Sequence, residues 1–332
     1  MAIDSRPISY SIVIPVFNEE AVLPVLLRRL DQLLTRLRKP AEAILVDDGS
    51  SDSSPIVLQA LVKRDPRFRY IGLSRNFGHQ VAITAGMDAA EGQAIIVMDA
   101  DLQDPPEVVE QLIAKWEEGY DVVYARRLSR AGESRFKRAT AHLFYRMLSR
   151  MASVGIPSDV GDFRLIDRKV LDALRQMPER DRFVRGMIAW LGFRQTEVAF
   201  HRPERAAGET KYPLFKMIRL ATNAALGFSD APLRLAIWCG FLVSCLALLY
   251  GGSVVLRWMS NDPHLVVGWS STIVVVALLC GMNMLMTGIV GLYVGRIHAE
   301  VKRRPLYVVQ KRLGFERDQV APAQSAAFAV HE

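Results

Sequence analysis

Short runs of apolar and β-branched residues recur through the first part of the chain, each ending in a polar turn: Ser11–Val16, Ala43–Val46, Arg69–Leu73, Ala94–Met98 and Asp121–Tyr124. Runs of this length bounded by turn residues read as strands. Between them lie segments such as Ala21–Leu37, whose apolar residues return every three or four positions and predict helices. Strands alternating with helices argue a mostly parallel α/β sheet flanked by helices. Ligands of such sheets gather beyond the carboxyl ends of the strands, so the residues just after each strand carry the information about function.

The pattern changes late in the chain. Leu235–Leu256 and Leu265–Gly295 hold no charged residue over 22 and 31 positions, with Thr272–Tyr293 the expected span of the second. Each exceeds the roughly 20 residues that cross a bilayer. The connector Arg257–His264 is neutral, whereas Lys211, Lys216, Arg219 and Arg234 precede the first stretch and Arg296, Lys302, Arg303, Arg304, Lys311 and Arg312 follow the second. Excess positive charge on both outer flanks places both ends on the cytoplasmic side. The expected organisation is a cytosolic α/β domain over 1–212, a juxtamembrane amphipathic helix over 213–232, and transmembrane helices over 233–257 and 269–295. A cytosolic tail over 296–332 follows, with a strand at Pro305–Gln310 that could pair with a neighbouring copy. The tail after Val320 reads as disordered. The first apolar run, Ile12–Phe17, is short and broken by Pro15, and predicts a strand rather than a secretory signal.

Composition agrees. A length of 332 residues allows one or two domains, and 23% charged residues exclude both an all-membrane and a disordered chain. Cys239, Cys245 and Cys280 all lie in apolar stretches, which excludes a disulfide framework and a Cys-based zinc site. The polar part has no cysteine, which fits a reducing cytosolic face. No nucleic-acid partner is expected.

Acidic residues collect after the strands. The first is followed by Pro15-Val16-Phe17-Asn18-Glu19-Glu20 and the second by Asp47-Asp48-Gly49-Ser50-Ser51-Asp52. Such side chains accept hydrogen bonds from a ribose diol or a base edge, and Gly49 permits a tight turn; either segment taken alone is also an ordinary capped turn. After the fourth comes Asp99-Ala100-Asp101-Leu102-Gln103-Asp104-Pro105-Pro106. In an extended segment Asp99, Asp101 and Gln103 would present three oxygen-bearing groups to one face, suited to a hard divalent cation. Magnesium prefers one or two carboxylates with phosphate oxygens and water, so this pattern implies a diphosphate ligand as much as a metal. Neither a Gly-x-Gly-x-x-Gly nor a P-loop motif occurs, which argues against a dinucleotide oxidoreductase or a P-loop ATPase.

The segments SIVIPVFNEE, ILVDDGSSD, LSRNFGHQVAITAG, DADLQDPPE, YDVVYARR, GDFRLIDRKV and RFVRGMIAWLGFRQTEV, followed by two apolar spans, resemble the family-2 glycosyltransferases that load a sugar onto a polyprenyl phosphate. That group contains the bactoprenol glucosyltransferases, dolichyl-phosphate mannose synthases and undecaprenyl-phosphate aminoarabinose transferases. The resemblance implies a GT-A-like α/β fold, a UDP-sugar donor, an undecaprenyl phosphate acceptor, a Mg2+ or Mn2+ cofactor, the bacterial inner membrane and a homotetramer. Donors other than UDP-glucose, carrying N-acetylglucosamine, an aminoarabinose derivative or mannose on GDP, stay open. By residue, it implies that Pro15, Asn18, Glu19 and Asp48 hold the nucleoside, and that Asp99, Asp101 and Gln103 hold metal and diphosphate. Arg75 and the Asn76-Phe77-Gly78 turn would line the donor pocket, over which a loop from Arg205 to Tyr212, including Lys211, would close; Thr210 stands where relatives usually have Ser. Arg127 is the better match than Arg126 for a family role.

Asp162 matches the position usually assigned as catalytic base, with Asp159 as the other candidate. A phosphate monoester has a second pKa near about 6, so the acceptor arrives with almost no proton to remove, and orientation is the alternative role. The greater obstacle is repulsion between an anionic acceptor and an anionic diphosphate. Arg127, Arg130, Arg135 and Lys137, just after the fifth strand, are the candidates to clamp the acceptor phosphate. Two segments, from Phe136 to Met151 and from Leu214 to Ala225, carry apolar residues at helical spacing beside basic ones, as helices lying in a headgroup layer do.

Overall fold

The computed structural model describes residues 8–128, 160–180, 182–201, 231–260 and 268–315. They fall into two compact units, one holding the sheet and the other two long helices. In chain order the elements of the first are β1 Tyr10–Val16, α1 Leu23–Arg36, β2 Ala41–Asp47, α2 Ser54–Val62, β3 Phe68–Leu73, α3 His79–Ala89, β4 Ala94–Val97, α4 Val108–Glu117, β5 Val122–Arg127, β6 Val160–Asp167, α5 Arg168–Arg175, α6 Val184–Trp190 and β7 Gln195–Phe200, closed by β8 Val309–Leu313. The long helices are α7 Ala231–Met259 and α8 Trp269–Val301.

The strands form one eight-stranded sheet in the order β7-β5-β6-β4-β1-β2-β3-β8. Six strands run in the same direction; β6 and β8 run against them. The expected mostly parallel α/β class therefore holds. Apolar side chains leave both faces of β1, β2 and β4, so helices must cover both. On one face Leu26 and Leu30 of α1, Leu58 of α2 and Leu112 of α4 pack with Ile12, Leu45 and Phe163. On the other Ile83 of α3, Leu171 of α5 and Met187 of α6 pack with Val13, Ile44 and Ile95. The spacing of Leu23, Leu26, Leu30, Leu33 and Leu34 is what turns α1 into a one-sided cover, and all five are buried.

Two strands differ from the expectation read off the chain. β6 is inserted antiparallel between β4 and β5, with Val97 opposite Arg164 and Val122 opposite Ile166. Its alternation is masked by Asp162, Arg164 and Asp167, and Arg164 is only 1% exposed. The tail strand lies at Val309–Leu313 rather than 305–310, and it pairs antiparallel with β3 of its own sheet, Tyr70 opposite Leu313. Phe315 anchors it, buried with the Arg69 and Arg312 guanidinium groups 5.1 and 4.2 Å from its ring.

In the second unit, Leu278–Val301 of α8 is long and apolar enough to cross a membrane, and none of it is buried. Among the described residues it is the one stretch that meets this measure; in α7 the apolar run so described is Ile237–Leu246. The juxtamembrane segment 213–230 and the segment from Phe136 to Met151 lie outside the described residues.

Candidate active site

The carboxyl ends of β1 and β2 carry two loops stitched together by side chains. Ser51 N–H donates to Asn18 Oδ1 at 2.8 Å, and Asn18 N–H to Ser50 Oγ at 3.0 Å. Glu19 N–H reaches Ser54 Oγ at 3.1 Å, and Ser53 N–H reaches Glu20 Oε2 at 3.0 Å. Asn18 adopts φ +55°, a value Asn tolerates better than most residues. Pro15 sits inside β1, paired with Val46, so it shapes the strand rather than the rim.

Asp48, 3% exposed, turns both carboxylate oxygens onto the next loop: Oδ1 accepts Phe77 N–H at 2.7 Å and Oδ2 accepts Gly78 N–H at 2.9 Å. Burial raises its pKa, and these two bonds oppose the rise. Its first contacts are thus to the protein, and what it holds is the turn that opens α3. Gly49 makes that approach possible, since a Cβ there would lie 2.5 Å from the Arg75 carbonyl carbon. The Arg75 guanidinium lies over the Phe77 ring, 4.0 Å from its centroid. Gly78, at φ +101°, allows the chain to enter α3 directly at His79.

β4 stops at Val97, and the segment that follows is a turn. Leu102 has φ +60°, Asp101 Oδ1 accepts Gln103 N–H at 3.0 Å, and Asp104 Oδ2 accepts Asp99 N–H at 3.1 Å. The expectation that Asp99, Asp101 and Gln103 share a face because the segment is extended is therefore corrected: side-chain-to-backbone bonds curl it. Asp104, fully buried, is the brace that sequence reasoning missed. Burial raises the pKa of Asp99 and Asp104; His79 opposes this at Asp99, and at Asp104 repulsion from Asp99 adds to it. Asp99 Oδ1 is buried and makes no hydrogen bond.

Asp162 enters the same region from β6. His79 Nε2 lies 3.3 Å from Asp99 Oδ1 and 3.4 Å from Asp162 Oδ2, so the imidazole sits between the two carboxylates. Gln80 Nε2 donates to Asp162 Oδ2 at 3.0 Å, and Arg164 Nη2 and Arg185 Nη2 reach Oδ1 at 3.1 and 3.3 Å. Burial by itself would raise the Asp162 pKa, but the His79 bond and the two guanidinium groups hold it far below the usual carboxylate range. The pKa of His79 is raised: burial opposes its charged form, and Asp162, Asp99 and Asp48 outweigh burial. His79, Gln80, Arg164 and Arg185 are four site residues that sequence reasoning left without a role. The signal for His79 and Gln80 was their place directly after Gly78.

On β5, Arg126 turns outward to Glu197 at 3.1 Å, whereas Arg127 packs over Gly161, with Nη2 2.7 Å from where a Cβ would stand and a buried Nε without a hydrogen-bond partner. Adjacent strand residues point to opposite faces, which separates the two. Asp159, Arg130, Arg135, Lys137, Arg205 and Lys211 lie outside the described residues.

The fold thus unites the loops after β1 and β2, an acidic turn and Asp162 at one end of the sheet. Residues 11–175 match the model of glycosyl transferase family 2. The chain is 49% identical over 316 residues to an uncharacterized glycosyltransferase, YkcC, of Bacillus subtilis (strain 168), covering 95% of this chain and 98% of that one. The chain belongs to glycosyl transferase family 2. It is therefore a transferase enzyme. Within this family it is also 37% identical over 305 residues to the prophage bactoprenol glucosyl transferase homolog of Escherichia coli (strain K12), covering 91% and 98% of the two chains. The bactoprenol glucosyl transferase of Shigella phage SfII matches at 37% over 302 residues, covering 91% and 97%.

Proposed function

We propose that this enzyme transfers a hexose, glucose, from a UDP-sugar to undecaprenyl phosphate at the bacterial inner membrane, with inversion at the anomeric carbon. The observation that carries the reading is the acidic turn after β4 beside Asp162 and His79, in a chain aligned almost end to end with relatives named bactoprenol glucosyl transferase. The apolar helix α8 supports a membrane location, with α7 as the second arm of a hairpin and the sheet domain on the cytosolic side.

A divalent cation, Mg2+ or Mn2+, fits the turn. Asp99 Oδ1 is buried without a hydrogen bond, and Asp99 and Asp104 are crowded carboxylates whose burial and mutual repulsion His79 and Arg127 offset only in part. Asp99, Asp101 and Gln103 would hold the ion. When bound it neutralises the leaving diphosphate. The protein's own residues do the rest. Asp104 braces the Asp99 backbone, Asp48 fixes the 76–78 turn, and Arg75 with Phe77 offers a flat surface to the nucleoside. Arg127 lowers the repulsion met by an incoming phosphate. Direct displacement forms the bond from phosphate oxygen to C1 as the bond from C1 to the UDP oxygen breaks.

Membranes containing the protein, incubated with labelled UDP-glucose, should show label in the lipid phase that depends on magnesium or manganese. Absence of such label, with label appearing from another nucleotide-sugar, rejects glucose. Asp101→Ala should abolish transfer and leave membrane insertion unchanged; near-normal turnover would contradict the metal assignment.

A further inference from the structure

Asp162 has no lone pair to spare. An ionised carboxylate offers about four acceptor directions. Oδ1 faces Arg164 Nη2 at 3.1 Å and Arg185 Nη2 at 3.3 Å; Oδ2 faces Gln80 Nε2 at 3.0 Å and His79 Nε2 at 3.4 Å. The groups that surround it come from α3, from its own strand β6 and from α6, with Asp99 beyond His79 after β4. A general base needs an open lone pair aimed at the proton it takes, and this one is occupied on every side.

The cations around it are not equivalent. Arg164 is sealed in the protein: besides Asp162 it donates to the Gly161 carbonyl at 2.8 Å, its Nη1 is buried without a hydrogen-bond partner, and its side chain is only 2% exposed, too little to meet a ligand. Arg185 is held by one bond to Asp162 at 3.3 Å, keeps a buried Nε with no hydrogen-bond partner, and is 19% exposed. Gln80 fixes the start of the segment that carries it, accepting Val184 N–H on Oε1 at 3.2 Å while its amide nitrogen holds Asp162. Asp162 is shared between two guanidinium groups, and the five N–H groups on Arg185 exceed what Asp162 can take.

We propose that Arg185 binds the phosphate of the acceptor, and that Asp162 is the positioning residue that aims it rather than a catalytic base. This deepens the proposed function and rests on it for the identity of the acceptor. The step balances without a base. A dianionic phosphate monoester attacks C1 with an oxygen lone pair, the C1–O bond to the diphosphate breaks, and its electron pair leaves with UDP. No proton is transferred.

The test has two arms on the full-length protein in detergent. Calorimetry with geranyl phosphate, a soluble short-chain acceptor, should show binding to the native enzyme. Arg185→Gln should weaken it about tenfold or more while UDP binding stays within about twofold, and Arg185→Lys should recover part of the loss. Unchanged geranyl phosphate affinity in Arg185→Gln, loss of UDP binding instead, or no binding to the native enzyme overturns the assignment. In the second arm the acid limb of the transfer rate is measured with geranyl phosphate and with its methylene and difluoromethylene phosphonate analogues, which ionise at higher and lower pH. The limb should move with the acceptor; a limb that stays put for all three assigns it to an enzyme base and refutes the role given to Asp162. Binding without any transfer leaves the Arg185 site standing and removes the proposed reaction.

Discussion

Gly49→Ala isolates the contact between the loop after β2 and the Arg75–Gly78 loop. Gly49 and Gly192 have almost the same φ, +73° and +69°, but different surroundings. A Cβ at 192 meets nothing within 4 Å, whereas at 49 it would lie 2.5 Å from the Arg75 carbonyl carbon, 2.7 Å from Asn76 N and 2.8 Å from Arg75 Cα. Alanine at Gly192 therefore bears only the left-handed strain, about 1 kcal/mol. At Gly49 the same strain is joined by overlap with backbone, which no rotamer change relieves, at about 1–3 kcal/mol. A domain of this size shifts its Tm by about 2–4 °C per kcal/mol, so Gly192→Ala should lower it by about 3 °C and Gly49→Ala by about 9 °C. The displaced Arg75–Gly78 loop should also weaken UDP binding in Gly49→Ala alone. Thermal unfolding of the two purified variants, with calorimetry against UDP, measures both effects. Equal Tm losses, or an unchanged UDP affinity in Gly49→Ala, would refute the packing argument.

Other residues give sharper contrasts. Arg126→Ala should stay within about twofold of native transfer, because an exposed ion pair with Glu197 contributes about 0–1 kcal/mol, while Arg127→Ala should lose about tenfold or more; equal effects would contradict the separation of the two faces. Asp162 is held below the ordinary carboxylate range, so its stabilising contribution is complete above about pH 4 and is lost as pH falls toward its depressed value. The Tm difference between native protein and Asp162→Asn should thus be constant from about pH 5 to 6, where His79 stays protonated, and shrink below about pH 4; a difference that grows on acidification below that value would reverse the sign. The Tyr307 hydroxyl donates to Asp88 Oδ2 at 2.9 Å, tying the segment before β8 to the end of α3. Tyr307→Phe should cost about 1 kcal/mol and speed amide exchange near Asp88. Unaltered exchange there would show that the β3–β8 pairing and Phe315 secure the tail without this bond.

Much of the sheet was legible because β1 to β4 are buried on both faces, and a strand buried on both faces must be written as a continuous apolar run whatever its neighbours. The acidic residues after β1, β2 and β4 were legible for a related reason: a strand end is where apolar residues stop, and ligands of parallel sheets collect there. The late uncharged stretches were equally plain, since length and lack of charge are local properties.

Pairing and aim were decided by tertiary structure. β6 carries Asp162, Arg164 and Asp167, a pattern that reads as a loop until Val97 and Val122 close on either side of it. Its place in the sheet is what brings Asp162 to His79, residues far apart in the chain. The curl of the 99–104 turn depends on Asp104 being buried under Asp99, and which of Arg126 and Arg127 faces inward depends on the register of β5. The four partners that saturate Asp162 arrive from three elements, so their number could not be read from spacing. Periodicity records which side of an element is apolar; which charges then meet across the end of a sheet is settled by contacts between distant parts of the chain, and those leave no local signature.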